Sequence, residues 1–168
     1  AALPEVGAAT GVRFGIAQVA GRAGLVVAID PTQVGEILDL GVIEGDLAAI
    51  GPGGIAVSEE FARDSRLGVG DIVPAQFLTG GIQVLTVSAV YTERDRFGDL
   101  LISTEGYDAW FPTSVDSFVY IVGAEGVDPG DVERAVSEVA AAYPNARVQD
   151  RQEFIEDQSG FLQPILVL

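Results

Sequence analysis

Between Gly11 and Ala20 apolar side chains alternate with small or polar ones, as Val12, Phe14 and Ile16 with Arg13 on the opposite face. A period of two predicts a strand. Leu25-Val26-Val27-Ala28-Ile29 is apolar without interruption and predicts a strand buried on both faces. Asp30-Pro31 then opens a predicted helix with an apolar face of Val34, Ile37 and Leu38. Asp30 can cap its free N–H groups, and Pro31 fits the first helical position, where no N–H is needed. Gly41 and the Glu44-Gly45-Asp46 turn are expected to end this unit.

After Gly51-Pro52-Gly53-Gly54 a short buried strand leads to Ser58, the predicted cap of a helix. Glu59 and Glu60 lie in its first turn and Arg63 and Arg66 in its later ones, which suits the helix dipole. Leu67-Gly68 should stop it. Strands are predicted over 72–78 and 82–91 around a Thr79-Gly80-Gly81 hairpin turn, followed by a charged loop from Thr92 to Asp99. Leu100-Leu101-Ile102 reads as a strand, and Thr104 starts a short helix that Pro112 closes. Farther on, Phe118 to Val122 is a strand and Asp128-Pro129 opens a helix. Val132, Ala135, Val136, Val139 and Tyr143 recur there at helical spacing. Ala146-Arg147-Val148 reads as a returning strand. Asp150 with Glu153 has the spacing of a capping box for a last helix, whose apolar side would include Phe154, Ile155, Phe161 and Leu162. Two strand–Asp-Pro–helix–strand units thus flank a middle segment.

Composition narrows the function. The chain has 168 residues, 48% of them hydrophobic, enough for a core without disulfides or metals. It contains no Cys, His or Met, and all nine basic residues are Arg. That inventory removes a Ser–His triad, a thiolate nucleophile, the usual zinc site, a Schiff-base lysine and a Walker motif. The net charge of −16 would repel nucleic acid and anionic lipid. No run approaches the ~18 apolar residues of a membrane span. Because no stripe of exposed apolar residues stands out, the isolated domain is expected to be monomeric or only weakly dimeric.

Carboxylate pairs remain: Glu59-Glu60, Asp95 with Asp99, and Glu156-Asp157. Such groups can serve as acid and base or bind calcium, yet helix capping already explains the first pair. No catalytic, metal-binding or cofactor-binding residue is therefore assigned. Gly68-Val69-Gly70-Asp71 follows a helix and precedes a strand, the reverse of a dinucleotide fingerprint. Together with Gly51–Gly54 it is read as a turn requiring positive φ. Phe97, Tyr107, Trp110 and Phe111 cluster beside the charged loop. They form either a small hydrophobic cluster beneath that loop or an exposed patch that docks a partner or apolar substrate. As the best surface-contact candidate in the chain, they are carried forward.

The order strand, Ser58-Glu59-Glu60-Phe61-Ala62 helix, Leu67-Gly68-Val69-Gly70-Asp71 turn, and two strands running into Val90-Tyr91 resembles the extracytoplasmic domain of MacB/FtsX-type ABC transporter permeases. The likeness extends from about residue 25 to the C-terminus, with Ser58, Gly68, Gly70 and Asp71 as its structural motif. It implies an α/β fold of α+β type. Two βαβ-like flanks (1–50 and 115–168) would form a porter-like layer, and 51–114 a small strand-rich, Sabre-like insertion. An alternative topology is one mixed sheet with all helices on one face. The resemblance further implies a non-catalytic domain on the extracytoplasmic side of the cell membrane, coupling ATP-driven membrane-helix movement to substrate export or partner activation. Its implied partners are a second permease copy or paralogue through the full-length protein, a cognate cytoplasmic ATPase, and an extracytoplasmic protein or substrate. The apolar C-terminal residues are then expected to lead into a membrane span. A ligand-binding sensor, marked by a deep closed pocket with aromatic residues and Arg, is the other function class, and an acidic-site hydrolase a third.

Overall fold

The computed structural model describes residues 3–150 and 152–153. Its described residues divide into two compact units, one of residues 8–122 and one that joins 3–7 to the residues after 122. The larger unit is built on β1 (Val6–Val19), β2 (Arg22–Ile29), β4 (Gly54–Ser58), β5 (Ile72–Phe77), β6 (Gly81–Tyr91) and β7 (Leu100–Ser103). Their order is β2-β7-β4-β6-β5-β1, and β1 also pairs with β2, so the six strands close into a ring. The closing strand is β1: Ala17, Gln18 and Val19 pair with Gly24, Ala23 and Arg22 on one side and with Phe77, Gln76 and Ala75 on the other.

Strand alternation sorts the core. Ala17, Val26, Ile55, Val73, Leu85 and Leu100, one from each strand, belong to a single buried cluster. A cluster that draws on all six strands is the inside of the ring, and side chains fill it, as the narrow bore of a small barrel requires. The intervening residues Val27, Ala56, Ala89 and Leu101 join a second cluster outside. It lies under α1 (Val34–Ile37), a one-turn 3-10 helix (Leu47–Ala49) and α3 (Arg94–Phe97). Burial on both faces explains why Val26–Ile29 of β2, β4 and β7 read as unbroken apolar runs, whereas Leu25, expected to be buried with them, is exposed.

Two strands end in the same way at opposite ends of the ring. β4 runs into α2 (Glu59–Ser65) and β7 into α4 (Thr104–Trp110). Because β4 and β7 are antiparallel neighbours, their C-terminal ends point apart. Ser58 Oγ accepts the Phe61 N–H at 3.1 Å, and Ser103 Oγ accepts the Gly106 N–H at 3.1 Å. Each hydroxyl also donates toward the chain that enters the other strand: Ser58 to Asp99 Oδ1 at 2.6 Å, Ser103 to the Gly51 carbonyl at 3.1 Å. Phe61 and Tyr107 follow the caps and enter the interior cluster.

Several expectations are corrected. The division drawn at 50/51 and 114/115 crosses the ring, since β1 and β2 pair with β5 and β7 of the expected insertion. The first flank is not a βαβ unit. Asp30 Oδ1 accepts the Thr32 N–H at 2.9 Å in a local turn, and the helix is only one turn long, with Gln33 as its N-cap. Gly35 disfavours its extension. The expected turn at 44–46 is partly a strand, β3 (Val42–Gly45), antiparallel to β6. Arg22–Gly24 belong to β2, leaving Ala20 and Gly21 at positive φ as the hairpin turn.

α2 ends at Ser65, with left-handed Arg66 as its C-cap just before the expected Leu67-Gly68, whereas α4 begins at Thr104 as expected, with Ser103 as its cap. β8 (Phe118–Gly123) pairs with β1. In the smaller unit α5 (Pro129–Ala140) starts as predicted, with Asp128 accepting the Gly130 N–H at 2.9 Å. Residues 146–148 are irregular, three residues being too short a pattern to specify a ladder. Asp150 and Glu153 make the reciprocal capping-box bonds, Glu153 N–H to Asp150 Oδ1 at 2.8 Å and Asp150 N–H to Glu153 Oε2 at 3.4 Å. The predicted apolar side of that helix lies outside the described residues.

Ser58→Ala and Ser103→Ala are each expected to lower stability by about 1–2 kcal/mol, since each removes a cap and a tether. The urea midpoint should fall at unchanged slope, and Thr should restore part of it. At Gly15 an added Cβ would meet the Phe111 ring. Gly15→Val should cost about 1–3 kcal/mol despite valine's strand preference, and Phe111→Ala in the same chain should recover part of that loss.

Candidate functional site

The four aromatics of the sequence reading do not form one patch. Phe97 is 3% exposed and belongs to the cluster outside the ring, whereas Tyr107 is buried in the cluster inside it. Trp110 and Phe111 are half-buried against that same inner cluster. α4 thus closes one end of the ring with stacked rings. Tyr107 lies 4.1 Å from Phe111, Phe77 lies 4.7 Å from Trp110, and Phe77 meets Phe111 edge-on at 5.5 Å. The geometry is that of favourable aromatic pairs, and it holds the helix rather than offering it. The Tyr107 hydroxyl donates to the Phe14 carbonyl at 3.0 Å.

Arg13, also on β1, fastens the same end, with Nε on Asp116 at 2.6 Å, Nη1 on Asp108 at 2.5 Å and its guanidinium over the Tyr107 ring. The bond to Asp116 raises its pKa further, against a lowering by burial. Periodicity had placed Arg13 opposite the apolar positions of its strand; its partners, about a hundred residues away, leave no sequence signal.

The second polar centre gathers around Ser58. Asp99 accepts from the Ser58 hydroxyl and from Arg94 Nε at 2.8 Å, and Arg94 also pairs with Glu60. The bond to Glu60 is the main cause of a raised Arg94 pKa. Beneath them the Tyr91 hydroxyl donates to the Gly98 carbonyl at 2.7 Å, and burial raises its pKa. Glu60 and Asp99 therefore converge on an arginine, and Asp99 is tied to Ser58. Glu156-Asp157 lies outside the described residues. Among the described residues no group of three or more carboxylates is placed to hold a metal ion. Two depressions of about 140 and 260 Å³ flank this centre, both smaller than the ~300 Å³ at which small-molecule pockets begin.

The Gly68–Asp71 motif is a hydrogen-bonded turn joining α2 to β5. Gly68 N–H donates to Asp71 Oδ2 at 2.8 Å, and Gly70 N–H donates to the Val87 carbonyl at 2.8 Å. Only Gly70 has the positive φ expected of the two, at +90°, and none of Gly51–Gly54 has it. Ser58, Gly68, Gly70 and Asp71 are thus scaffold positions at the two ends of α2.

The feature the sequence reading missed is on the outer wall. Ile16, Leu25, Ile72, Leu78, Ile82 and Val84 are exposed, Leu78 at 92% and Ile82 at 70%. They point away from the ring, alternating with interior Ala17, Val26, Val73, Phe77 and Leu85. The expectation that no apolar stripe exists therefore fails. The signal lay in strands apolar on both faces, which pattern alone reads as buried on both.

Among the described residues no helix is long and apolar enough to cross a membrane. No family model matches the sequence, and no curated protein matches it. Solved structures do. The periplasmic region of MacB from Actinobacillus actinomycetemcomitans aligns with a TM-score of 0.62 at 12% identity, over 82% of this chain and 67% of that one. The extracellular domain of the ABC-type transporter YknZ from Gram-positive bacteria aligns at 0.60 and 16% identity, over 83% of this chain and 77% of that one. The chain has the α+β fold of the extracytoplasmic domains of MacB/FtsX-type ABC transporter permeases.

Proposed function

We propose that this chain is the non-catalytic extracytoplasmic domain of an ABC transporter permease of the MacB/FtsX type. It would couple ATP-driven movement of membrane helices to substrate export or to activation of an extracytoplasmic partner. The observation that carries this reading is the fold shared with the MacB and YknZ domains over more than four-fifths of the chain. Two physical features agree with it. The described polar groups that converge, Arg13 with Asp108 and Asp116 and Arg94 with Glu60 and Asp99, are arranged as ties between elements. The sequence also lacks Cys, His and Lys, and with them a Ser–His triad, a thiolate nucleophile and the Walker lysine. A second permease copy or paralogue and a cytoplasmic ATPase would then be reached through the rest of the full-length protein.

The purified chain is expected to show no ATPase, esterase, protease or glycosidase turnover. Glu59→Gln and Glu60→Gln should change stability modestly and create no difference in such assays; a turnover lost in either variant would count against the non-catalytic assignment. In the full-length protein a span of roughly 20 apolar residues is expected on each side of this domain. A flexible Gly-Ser insertion after Gly160 should leave ATP binding intact while abolishing transport or partner activation. Undiminished coupling with that insertion would argue against mechanical transmission.

A further inference from the structure

We propose that residues 112–122 form a releasable arm, and that the Arg13–Asp116 ion pair is the clasp that holds it on β1. The inference goes beyond the transporter reading and does not rest on it. Every residue from Pro112 to Val122 is exposed except Tyr120, which is half-buried. In β8, Phe118, Val119, Ile121 and Val122 each keep more than a third of their surface in water. The ring strands β4 and β7, by contrast, are buried at every position. The arm therefore gains little from apolar burial, and a segment of that kind opens at lower free energy than a core strand. Val122 leads directly into the smaller unit, so the arm is one of two covalent connections between the units, the other being Gly7-Ala8 in β1.

Besides the pairing of β8 with β1, contacts at its start fix the arm. Arg13 Nε donates to Asp116 Oδ1 at 2.6 Å, the Ser117 N–H donates to the Val12 carbonyl at 2.8 Å, and Phe118 meets Phe14 edge-on at 5.9 Å. Gly11 admits the carboxylate: a Cβ there would lie 2.6 Å from Asp116 Cγ and 2.7 Å from both of its oxygens. The Arg13 side chain is only 15% exposed, so the pair is shielded from solvent more than an ordinary surface pair. Release does not strand the guanidinium. Its Nη1 stays on Asp108 and its plane over Tyr107, both on α4, while Asp116 passes into water. Neither state buries an unpaired charge, which is what makes breaking a buried pair costly. Ser114, also on the arm, donates to Asp108 and would leave with it. The clasp can therefore open while the ring stays closed.

Native-state hydrogen exchange of the purified 168-residue chain across a urea series tests this. Amides of residues 117–122 should exchange through a local opening that low urea hardly affects. Amides of β4 and β7 should exchange only by global unfolding, with its full urea dependence. Asp116→Asn should speed exchange over 117–122 by about five- to tenfold, leaving β4, β7 and the urea midpoint unchanged. Gly11→Ala displaces the carboxylate without altering any charge and should reproduce that localised effect. An arm that exchanges in step with β4 and β7 at every urea concentration overturns the proposal, because it then belongs to the ring's cooperative unit. Localised exchange that neither substitution speeds also overturns it, as does an equal acceleration of arm and ring.

Discussion

Three residues of β1, Ala17 to Val19, are hydrogen-bonded on both sides, and this double pairing determines the rest of the larger unit. Without it the strands would form an open sheet with β2 and β5 as exposed edges, a liability for aggregation. With it the sheet has an inside that must be filled. The bore of six strands admits little more than side chains, so the alternate residues of each strand are Val, Ile, Leu and Ala, with Phe77 where the ring opens toward α4. The turn that permits the first pairing is tight: Ala20 and Gly21 both take positive φ, one of them at a cost that only the closed ladder offsets.

Closure leaves two open ends, and the chain seals both by one device. A strand runs into a serine, the hydroxyl caps the next helix, and an aromatic ring one turn on enters the bore. Because β4 and β7 run in opposite directions, repeating the device seals opposite ends. The crossed donations of Ser58 to Asp99 and Ser103 to Gly51 tie each cap to the start of the neighbouring strand. Both serines are buried and fully engaged, so each would be costly to replace with a residue that leaves its partners unsatisfied. Arg13 and Arg94 add further fastening at the surface. The more exposed Arg94 is the weaker of the two, since solvent screens its ion pairs.

What the sequence made legible follows from which interactions are local. Val26–Ile29, Ile55–Val57 and Leu100–Ile102 declared themselves as strands because burial on both faces leaves no polar positions. Ser58, Asp128 and the Asp150–Glu153 pair declared helix starts because caps act over three residues. The ring was not legible. Whether Gln18 pairs with Gln76, 58 positions away, is decided by closure, and no local pattern encodes it. The same gap explains the division drawn at residue 50, which separated strands that share one ladder. It also explains the aromatic candidates: Phe97 and Tyr107 are ten positions apart but on opposite sides of a strand layer, so nearness in sequence misled. Thr104 was legible as the start of α4, but its cap Ser103 was not, because only the observed bond from Gly106 identifies it.

The outer wall shows why an apolar strand pattern does not by itself establish burial. β2 and β6 have apolar residues on both faces, yet helices cover only part of the outside, at Val27, Ile29, Ala89 and Tyr91. Where that cover stops, Leu25, Ile82 and Val84 meet solvent with the same chemistry as their covered neighbours. A chain of this acidity gains solubility from its carboxylates, and these could have interrupted the wall at little cost to the ring, since outward positions do not contribute to the interior. They do not: the polar residues there are two glutamines and a threonine. Charge has been distributed over the rest of the surface and kept off this face. A neutral apolar wall on a strongly acidic domain has its encounters governed by ionic strength before they are governed by fit.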